Sequence, residues 1–180
     1  MFRVLIVYAS RKGSTREVAE AIADRLEADG LRTVVQPASD RVDVSAFDAV
    51  VVGGALYTGR WHRDARRFLR RHRRVLGTMP VAVFAMGPAT MDDHAVAGSL
   101  GQLERGLASV PEVSPVAVGV FGGVIDPARL RFPFNRMPPS DARDWDAIRA
   151  WAGEIAAAYD FGKAAADTRD LRTVLQQAPR

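Results

Sequence analysis

Cysteine is absent from the 180 residues of this chain. Disulfide bonds, thiolate metal ligands and thiol nucleophiles are therefore excluded. Histidine is scarce: His62, His72 and His94 are the only ones, and none of their spacings resembles His-x-x-x-His, so we expect no metal site. The longest apolar run is far shorter than the roughly 20 residues that a membrane-spanning helix needs.

Acidic residues are nearly absent from one segment. Residues 60–77, RWHRDARRFLRRHRRVLG, contain eight arginines and one aspartate, which gives this stretch a charge of +7. The whole chain carries only +4, so the remaining residues sum to −3. The positive charge is therefore concentrated on one segment rather than spread over the molecule.

The composition is otherwise that of a soluble globular protein, with 48% hydrophobic and 26% charged residues. A chain of this length is most simply one domain. We predict a folded domain over residues 1–161 and a polar C-terminal tail over 162–180. The first residues, MFRVLIVYAS, lead straight into a strand and lack the apolar core of a signal peptide, so we expect a cytoplasmic protein.

Continuous apolar runs rich in β-branched residues predict strands that are buried on both faces. These runs are residues 3–9, 49–54, 80–87 and 115–123. A more polar run at 31–38 predicts a further strand at or near an edge of the sheet.

Segments with a helical spacing of apolar residues lie between these strands and predict helices. They are residues 14–30, 61–76, 96–110 and 140–160. We expect Ser14 or Thr15 to cap the first helix, and Ser140 or Asp141 to cap the last.

Buried strands that alternate with helices predict an α/β fold with a parallel sheet. Five strands fit the flavodoxin-like three-layer sandwich, with strand order 2-1-3-4-5 and helices on both faces. In such a sheet the ligand binds beyond the carboxyl ends of the strands beside the switch point. The loops after Ala9, Gly54, Gly87 and Gly123 are therefore the candidate site.

The first of these loops, Ser10 to Thr15, joins the first strand to the first helix. Backbone N–H groups at a helix start attract an anion, Gly13 allows a tight turn, and the hydroxyls add donors. Neither the G-x-x-x-x-G-K-[ST] loop of nucleotide hydrolases nor the dinucleotide G-x-G-x-x-G motif is present. The loop predicts a phosphate site; the alternative is a plain strand-to-helix turn with a good cap.

Ser10-x-x-Gly13-x-Thr15 resembles the phosphate loop of flavodoxins, [ST]-x-T-G-x-T, which binds the phosphate of FMN, although Lys12 replaces the usual threonine. With Arg11 and Arg16 the loop reads S-R-x-G-x-T-R, which is more similar to the menaquinone-dependent protoporphyrinogen dehydrogenases, a flavodoxin-like branch. The resemblance covers residues 3 to about 160 and implies one non-covalently bound FMN. The implied phosphate ligands are Ser10, Arg11, Lys12, Gly13, Ser14 and Thr15.

The second loop lies in VVGGALYTGRWHRDARRFLRRH (51–72), which resembles the same branch. The resemblance implies that this loop covers one face of the isoalloxazine ring, and that Gly53 and Gly54 let the backbone approach it. The implied ring contacts are Ala55, Leu56, Tyr57, Thr58 and Gly59. Tyr57 either stacks on the flavin or packs within the protein.

The third and fourth loops would complete the ring site. In the family they face the other side of the flavin and its pyrimidine edge, which implicates Gly87, Pro88, Ala89, Thr90, Gly122 and Gly123. We interpret Asp92, Asp93 and His94 as a solvated loop with a helix cap, the alternative being a catalytic carboxylate pair.

Residues 124–139 form a long segment with little regular pattern, in which aromatic and apolar side chains alternate with arginines. Such a segment inside a compact domain indicates a functional loop. We expect either an apolar, cationic wall beside the flavin or a loop that plugs the end of the sheet. The family's insert is longer than this one.

The basic segment 60–77 has several interpretations. It is a solvated, salt-bridged face, a peripheral contact with an anionic membrane, or part of a site for an anionic substrate. No nucleic-acid-binding motif accompanies it, so we expect no nucleic-acid partner. In the substrate interpretation the propionates of a tetrapyrrole meet arginine forks. The candidate substrate contacts are Arg60, Arg63, Arg131 and Phe132.

The resemblance implies an FMN-dependent oxidoreductase that oxidises protoporphyrinogen IX to protoporphyrin IX, with a quinone as acceptor, in haem biosynthesis. No side chain stands out as an acid or base, so the catalytic residues are unassigned. The first alternative is a flavodoxin that carries electrons between partner redox proteins, although such carriers are typically acidic. The second is an NAD(P)H–quinone reductase. Nothing in the sequence indicates an oligomeric state.

Overall fold

The computed structural model describes residues 2–11, 13–129, 132 and 134–159. Two candidate site residues, Lys12 and Arg131, lie outside the described residues. The predicted tail at 162–180 and the last residues of the predicted domain also lie outside them. Expectations for these residues stay predictions.

The described residues form eight strands and four helices. The strands are β1 (Arg3–Ala9), β2 (Arg32–Pro37), β3 (Ala49–Tyr57), β4 (Arg60–Trp61), β5 (Val81–Met86), β6 (Ala117–Phe121), β7 (Val124–Ile125) and β8 (Ser140–Asp141). The helices are α1 (Ser14–Ala28), α2 (Arg63–Leu76), α3 (Asp93–Leu107) and α4, which is described over 145–159.

Five of the strands form one parallel sheet in the order β2-β1-β3-β5-β6, which confirms the predicted order 2-1-3-4-5. The short β4 pairs antiparallel with the end of β3, and β7 pairs with β8 in a separate ribbon. The order in which strands are added changes side between β1 and β3: β2 lies beside β1 on one side, and β5 and β6 follow β3 on the other. The loops at the carboxyl ends of β1 and β3 therefore flank the crevice where ligands bind in this architecture.

Helices cover both faces of the sheet, as predicted for a three-layer sandwich. One core packs α1 and α4 against the sheet, with Ile22, Phe84 and Trp151 among its buried members. The other packs α2 and α3 against the opposite face, with Phe68 and Leu103 among its members. Successive residues of β1, β3 and β5 point alternately into the two cores, which explains why these strands are apolar without interruption.

The strand β6 corrects one expectation. Residues 115–123 were expected to be buried on both faces, but β6 is the edge of the sheet, with a strand neighbour on one side only. Val116 and Val118 are 50% and 43% exposed. Its opposite face is covered, because a Cβ at Gly119 would lie 2.9 Å from Trp151 of α4.

The caps of two helices also differ from expectation. Neither Ser14 nor Thr15 caps α1, whose N-cap is Gly13 with no side-chain capping bond. Ser140 and Asp141 pair with β7 instead of opening α4, which requires an extended backbone at that position. Asp144 Oδ1 accepts the N–H groups at residues 146 and 147 and so begins α4.

The start of α2 lies two residues later than predicted. Trp61 belongs to β4, because it pairs with Leu56 across a hairpin. The helix begins at Arg63, and the ring of His62 caps it by accepting the N–H of Asp64 at Nδ1, at 3.1 Å.

Candidate functional site

The loop after β1 leaves a helix start open for an anion. Gly13 has φ 90°, a left-handed conformation that glycine adopts without strain, and α1 follows it without a side-chain cap. Ser10 Oγ accepts the N–H of Gly13 at 3.2 Å, which closes the turn. Thr15 is fully buried, and its hydroxyl has no hydrogen-bond partner among the described residues.

A buried hydroxyl without a partner at this position favours a ligand that can pair with it. A buried polar group without a partner destabilises the fold by about 1–3 kcal/mol. The first N–H groups of α1 and its helix dipole favour a negative charge at the same point. The described part of the loop, Ser10, Arg11 and Gly13 to Thr15, therefore fits a phosphate group.

A tight hairpin carries the second loop. Tyr57 pairs with Arg60, and the two residues between them, Thr58 and Gly59, have φ 48° and φ 75°. Positive φ at both central positions is the conformation of a type I′ turn, whose twist matches that of the strands. Thr58 is β-branched and strained in this conformation, and such strain is often found at functional sites.

Trp61 anchors this hairpin from below. It is almost fully buried, and its Nε1–H donates to the carbonyl of Gly54 at 3.1 Å. A Cβ at Gly54 would lie 2.7 Å from that indole nitrogen, and one at Gly53 would overlap the ring of Phe84. Protein side chains therefore fill the space beside both glycines, and the approach of this backbone to a flavin ring stays a prediction.

Tyr57 links the first two loops. The guanidinium of Arg11 lies over its ring, 6.0 Å from the centroid, and the ring meets that of His62 edge-on at 5.8 Å. Tyr57 is half-buried and packs against the core beneath α1. The structure thus brings Arg11 and Tyr57 together; stacking of Tyr57 on a flavin stays a prediction.

His62 is the residue of this region that sequence reasoning missed. It is only 8% exposed, and because Nδ1 accepts a backbone N–H, the proton of the neutral ring lies on Nε2. Nε2 is buried and has no partner among the described residues. Burial lowers the pKa of His62, and the charges of Arg11, Arg63 and Arg66 add to this while Asp64 opposes it. Histidine is not among the usual N-cap residues, so the sequence pattern indicated neither the cap nor the burial of His62.

Glycines let the third and fourth loops touch. The N–H of Gly123 donates to Pro88 O at 2.9 Å, and the N–H of Gly87 donates to Phe121 O at 3.1 Å. A Cβ at Gly122 would overlap Ala142 O, and one at Gly123 would lie 2.9 Å from Gly87 O. The loops after β5 and β6 are thereby fixed to each other.

The predicted helix cap in the third loop is confirmed. Asp92 accepts the N–H of Ala95 at 2.9 Å and the hydroxyl of Thr90 at 2.6 Å. These bonds lower the pKa of Asp92, because both stabilise the carboxylate. Ala89 and Thr90 are exposed, while Pro88 is buried. The helix itself begins at Asp93, three residues earlier than predicted.

The candidate substrate residues are spread over three elements. Arg60 lies on the hairpin, and Arg63 is exposed at the start of α2 with Asp64 3.6 Å away. Phe132 is 70% exposed, and the guanidinium of Arg136 lies 5.1 Å from the centre of its ring. An apolar and a cationic side chain thus meet in the long segment, as its sequence pattern predicts.

The arrangement of these loops agrees with the sequence comparison. The chain matches the flavodoxin domain model over residues 5–137. The protein belongs to the flavodoxin domain family. This match confirms the predicted flavodoxin-like, FMN-binding fold, and Thr15 and the open start of α1 fit the phosphate end of that cofactor.

Curated relatives of this flavodoxin domain match only part of the chain. Protoporphyrinogen IX dehydrogenase [quinone] of Escherichia coli K12 is 28% identical over 86 residues, which are 47% of this chain and 48% of that protein. The protein of the same name from Escherichia coli O157:H7 matches with the same values. The match spans about half the length of these relatives.

Solved structures reproduce the fold over most of its length. A cysteine-to-serine mutant of a Pseudomonas aeruginosa flavodoxin has a TM-score of 0.58 at 20% identity, covering 88% of this chain and 99% of its own. Flavodoxin 2 of Bacillus cereus has a TM-score of 0.56 at 19% identity, covering 89% and 99%. A Lactobacillus acidophilus flavoprotein in complex with FMN has a TM-score of 0.52 at 13% identity, covering 67% and 93%.

Two further findings concern the described part of this flavodoxin domain. No helix there is long and apolar enough to cross a membrane. No group of three or more histidine, aspartate or glutamate side chains within it could hold a metal ion.

Proposed function

We propose that this flavodoxin domain binds one FMN and acts as an oxidoreductase. The observation that carries the proposal is the buried, unpartnered hydroxyl of Thr15 at an uncapped helix start. FMN supplies reversible acceptance of hydride or electrons when it is bound. The chain itself would bind the cofactor, orient it towards the substrate and set the charge around it.

The residues of the four loops would divide this work. Ser10, Arg11 and Thr15 hold the phosphate, together with the N–H groups of the first turn of α1. The hairpin at 55–59 covers one side of the ring, held by Trp61 beneath it. Residues 87–90 and 122–123 lie along the other side, and their backbone contacts keep that wall rigid. Catalytic side chains are not assigned.

The substrate in this proposal is protoporphyrinogen IX, and the acceptor is a quinone. Oxidation of one protoporphyrinogen IX to protoporphyrin IX removes six hydrogen atoms and would reduce three quinones to quinols; FMN would supply the two-electron transfers between them. The similarity to the Escherichia coli dehydrogenases and the arginine-rich segment beside the hairpin support this assignment. A tetrapyrrole carries propionates, and arginine forks bind carboxylates bidentately.

A quinone dissolved in lipid also requires access to a membrane surface. Arg67, Arg70, Arg71 and Arg74 follow the i, i+3, i+4, i+7 spacing of one helix face, and all are exposed. None of the four makes an ion pair with another described residue. Arginines near an anionic leaflet contribute about 1 kcal/mol each to attraction. We therefore expect the protein to float with vesicles rich in phosphatidylglycerol and not with neutral vesicles; equal recovery with both would contradict this contact.

A second candidate function is electron carriage between partner proteins. The structural similarity to flavodoxins over nearly their whole length favours it, whereas the match to the dehydrogenases covers half of theirs. A reductive titration that resolves two separate one-electron steps would support this alternative.

The deciding experiment follows porphyrin fluorescence from protoporphyrinogen IX without oxygen, with FMN-loaded protein and a menaquinone analogue. Turnover well above the rate without protein would support the dehydrogenase. Bound flavin without turnover would favour the carrier. If added FMN shows neither fluorescence quenching nor a spectral shift, both functions are wrong.

A further inference from the structure

A pocket separate from the four loops' candidate flavin site lies on the side of the β3–β4 hairpin where α2 and α3 pack. It is a pocket of about 280 Å³, bounded by the hairpin, the first turns of α2 and the last turns of α3. Its lining includes Gly59, Arg60, Trp61, Arg66, Gln102 and Arg105. The phosphate loop and Thr15 take no part in it.

The charge of this pocket is one-sided. Three guanidinium groups, those of Arg60, Arg66 and Arg105, come from three different elements, and the lining contains no carboxylate. None of the three makes an ion pair with another described residue. Like charges held together repel one another, so an anion between them is stabilised by all three.

The side chains of Arg66 and Trp61 are held in place at the base of the pocket. Arg66 Nε donates to the carbonyl of Trp61 at 3.1 Å, which fixes the plane of the guanidinium and leaves its terminal N–H groups for a ligand. A Cβ at Gly106 would lie 3.2 Å from the indole of Trp61 and 3.6 Å from the side chain of Arg66, so both side chains pack against α3. A donor group held in place before binding loses little entropy when an anion arrives.

The opposite wall is open. Nothing lies within 4 Å of the point where a Cβ would stand at Gly59, so a ligand can approach the turn closely. Gln102 adds an amide that can donate or accept. The volume of about 280 Å³ lies just below the usual range for ligand sites, roughly 300–1,000 Å³, so the pocket suits a small molecule.

We propose that this pocket binds a small molecule through a carboxylate or phosphate group, held by Arg60, Arg66 and Arg105. Guanidinium groups bind both kinds of oxyanion bidentately, so the two share one recognition chemistry. The site is distinct from the phosphate loop and does not rest on the proposed reaction. Because it shares Gly59 and Arg60 with the hairpin, its occupant would lie directly beside the loop assigned to the ring.

The test titrates the full chain, saturated with FMN so that the phosphate loop is filled, with inorganic phosphate and separately with succinate. Ionic strength is held constant with chloride, and binding is followed by calorimetry and by the indole N–H signal of Trp61. We expect saturable binding of at least one anion. A tighter Kd for phosphate would assign a phosphate group, and a tighter Kd for succinate would assign a carboxylate.

Matched variants separate a site from general positive charge. Arg60→Gln and Arg105→Gln should each weaken binding roughly tenfold, the usual loss for one charge-assisted contact. Arg41→Gln removes the same charge from an exposed position outside both the pocket and α2, and it should leave the Kd nearly unchanged. Equal losses in all three variants, or no saturable binding of either anion, would overturn the proposal. Because the readout is anion binding, failure of FMN to bind or of turnover would not decide it; the same titration of the flavin-free protein and its variants would still do so.

Discussion

Arg143 forms an ion pair with Glu17, although the two residues are 126 positions apart in the chain. Arg143 lies between β8 and α4, and Glu17 lies in the first turn of α1, next to the phosphate loop. The same guanidinium binds Asp141 at 2.6 Å and lies 4.7 Å from the centre of the Trp145 ring. One side chain, only 10% exposed, therefore connects the first turn of α1 with the segment between β8 and α4.

Removing the guanidinium of Arg143 should weaken the contact between α1 and the segment before α4. The two carboxylates raise the pKa of Arg143, which means that they stabilise its charged form. We expect Arg143→Met to lower the free energy of unfolding by roughly 1–2 kcal/mol, discounted because Glu17 is solvent-exposed, and to weaken FMN binding. Urea denaturation and flavin fluorescence measure the two effects. Arg149→Met, which removes a pair with the fully exposed Asp146, is the control and should change stability by less than about 0.5 kcal/mol.

The orphaned hydroxyl of Thr15 predicts two effects of opposite sign. Thr15→Val keeps the shape of the side chain and removes a buried polar group without a partner. The flavin-free protein should gain roughly 1 kcal/mol of stability, while FMN binding should weaken about tenfold. Thr15→Ser retains the hydroxyl and should bind FMN more tightly than the valine variant. If valine lowered stability and left FMN affinity unchanged, the hydroxyl would be structural and the phosphate site would be misassigned.

The type I′ turn at Thr58 and Gly59 stores backbone strain. Asparagine tolerates positive φ better than threonine, so Thr58→Asn should raise the free energy of unfolding by about 1 kcal/mol. Gly59→Ala tests the same principle in the other direction, because its new Cβ would meet nothing within 4 Å and only the φ of 75° opposes it. Thermal denaturation of the two variants should therefore show shifts of opposite sign; two shifts of the same sign would contradict strain as the cause.

Protonation of His62 should link stability to pH. Burial lowers its pKa below the model-peptide value of 6.5, so the unfolded chain takes up a proton before the folded chain does. The contribution of the neutral His62 ring to the free energy of unfolding is therefore complete above about pH 6.5. It is lost as the pH falls from there through the pKa of the folded protein. Arg11, Arg63, Arg66 and Asp64 are the charged groups that act on this ring. His72 has a pKa lowered in the same direction and adds to the slope.

His62→Asn isolates this effect. Asparagine is a good N-cap, so its side-chain oxygen can replace Nδ1 as the acceptor for Asp64 N–H while the titrating ring is removed. Denaturation at pH 8 measures the packing change alone, and the difference between pH 8 and pH 5 should be smaller in the variant than in the wild type. An identical difference in both proteins would show that His62 does not titrate across this range.

Sequence patterns predicted the sheet well because burial on both faces restricts its central strands to apolar residues. The central strands β1, β3 and β5 send successive side chains into two apolar cores, and only a continuous apolar run satisfies both. The same rule failed at the edge strand β6, where Val118 is exposed, as is Val116 just before the strand. An apolar run cannot show whether a strand has one neighbour or two.

The candidate site was predictable to the extent that it depends on local chain chemistry. Gly13 and the hydroxyls of the first loop identify a helix start, and the structure leaves that start open. The packing roles of Gly53 and Gly54 went unnoticed, because a glycine pattern does not show that Phe84 and Trp61 fill the space beside them. Arg143 and His62 went unnoticed since their partners, Glu17 and the Tyr57 ring, come from other elements that only the folded chain brings near.

The close contact between the loops after β5 and β6, at Gly87, Gly122 and Gly123, limits how the sequence of such a domain can change. Each of these positions faces neighbouring protein atoms at under 3 Å from where a Cβ would be, so no substitution there is accepted without a compensating change elsewhere. New specificities in directed evolution would therefore come from exposed positions of the loops, such as Thr58, Ala89 and Phe132. A mutant library confined to such positions would vary the chemistry while the contact between the loops after β5 and β6 keeps the scaffold constant.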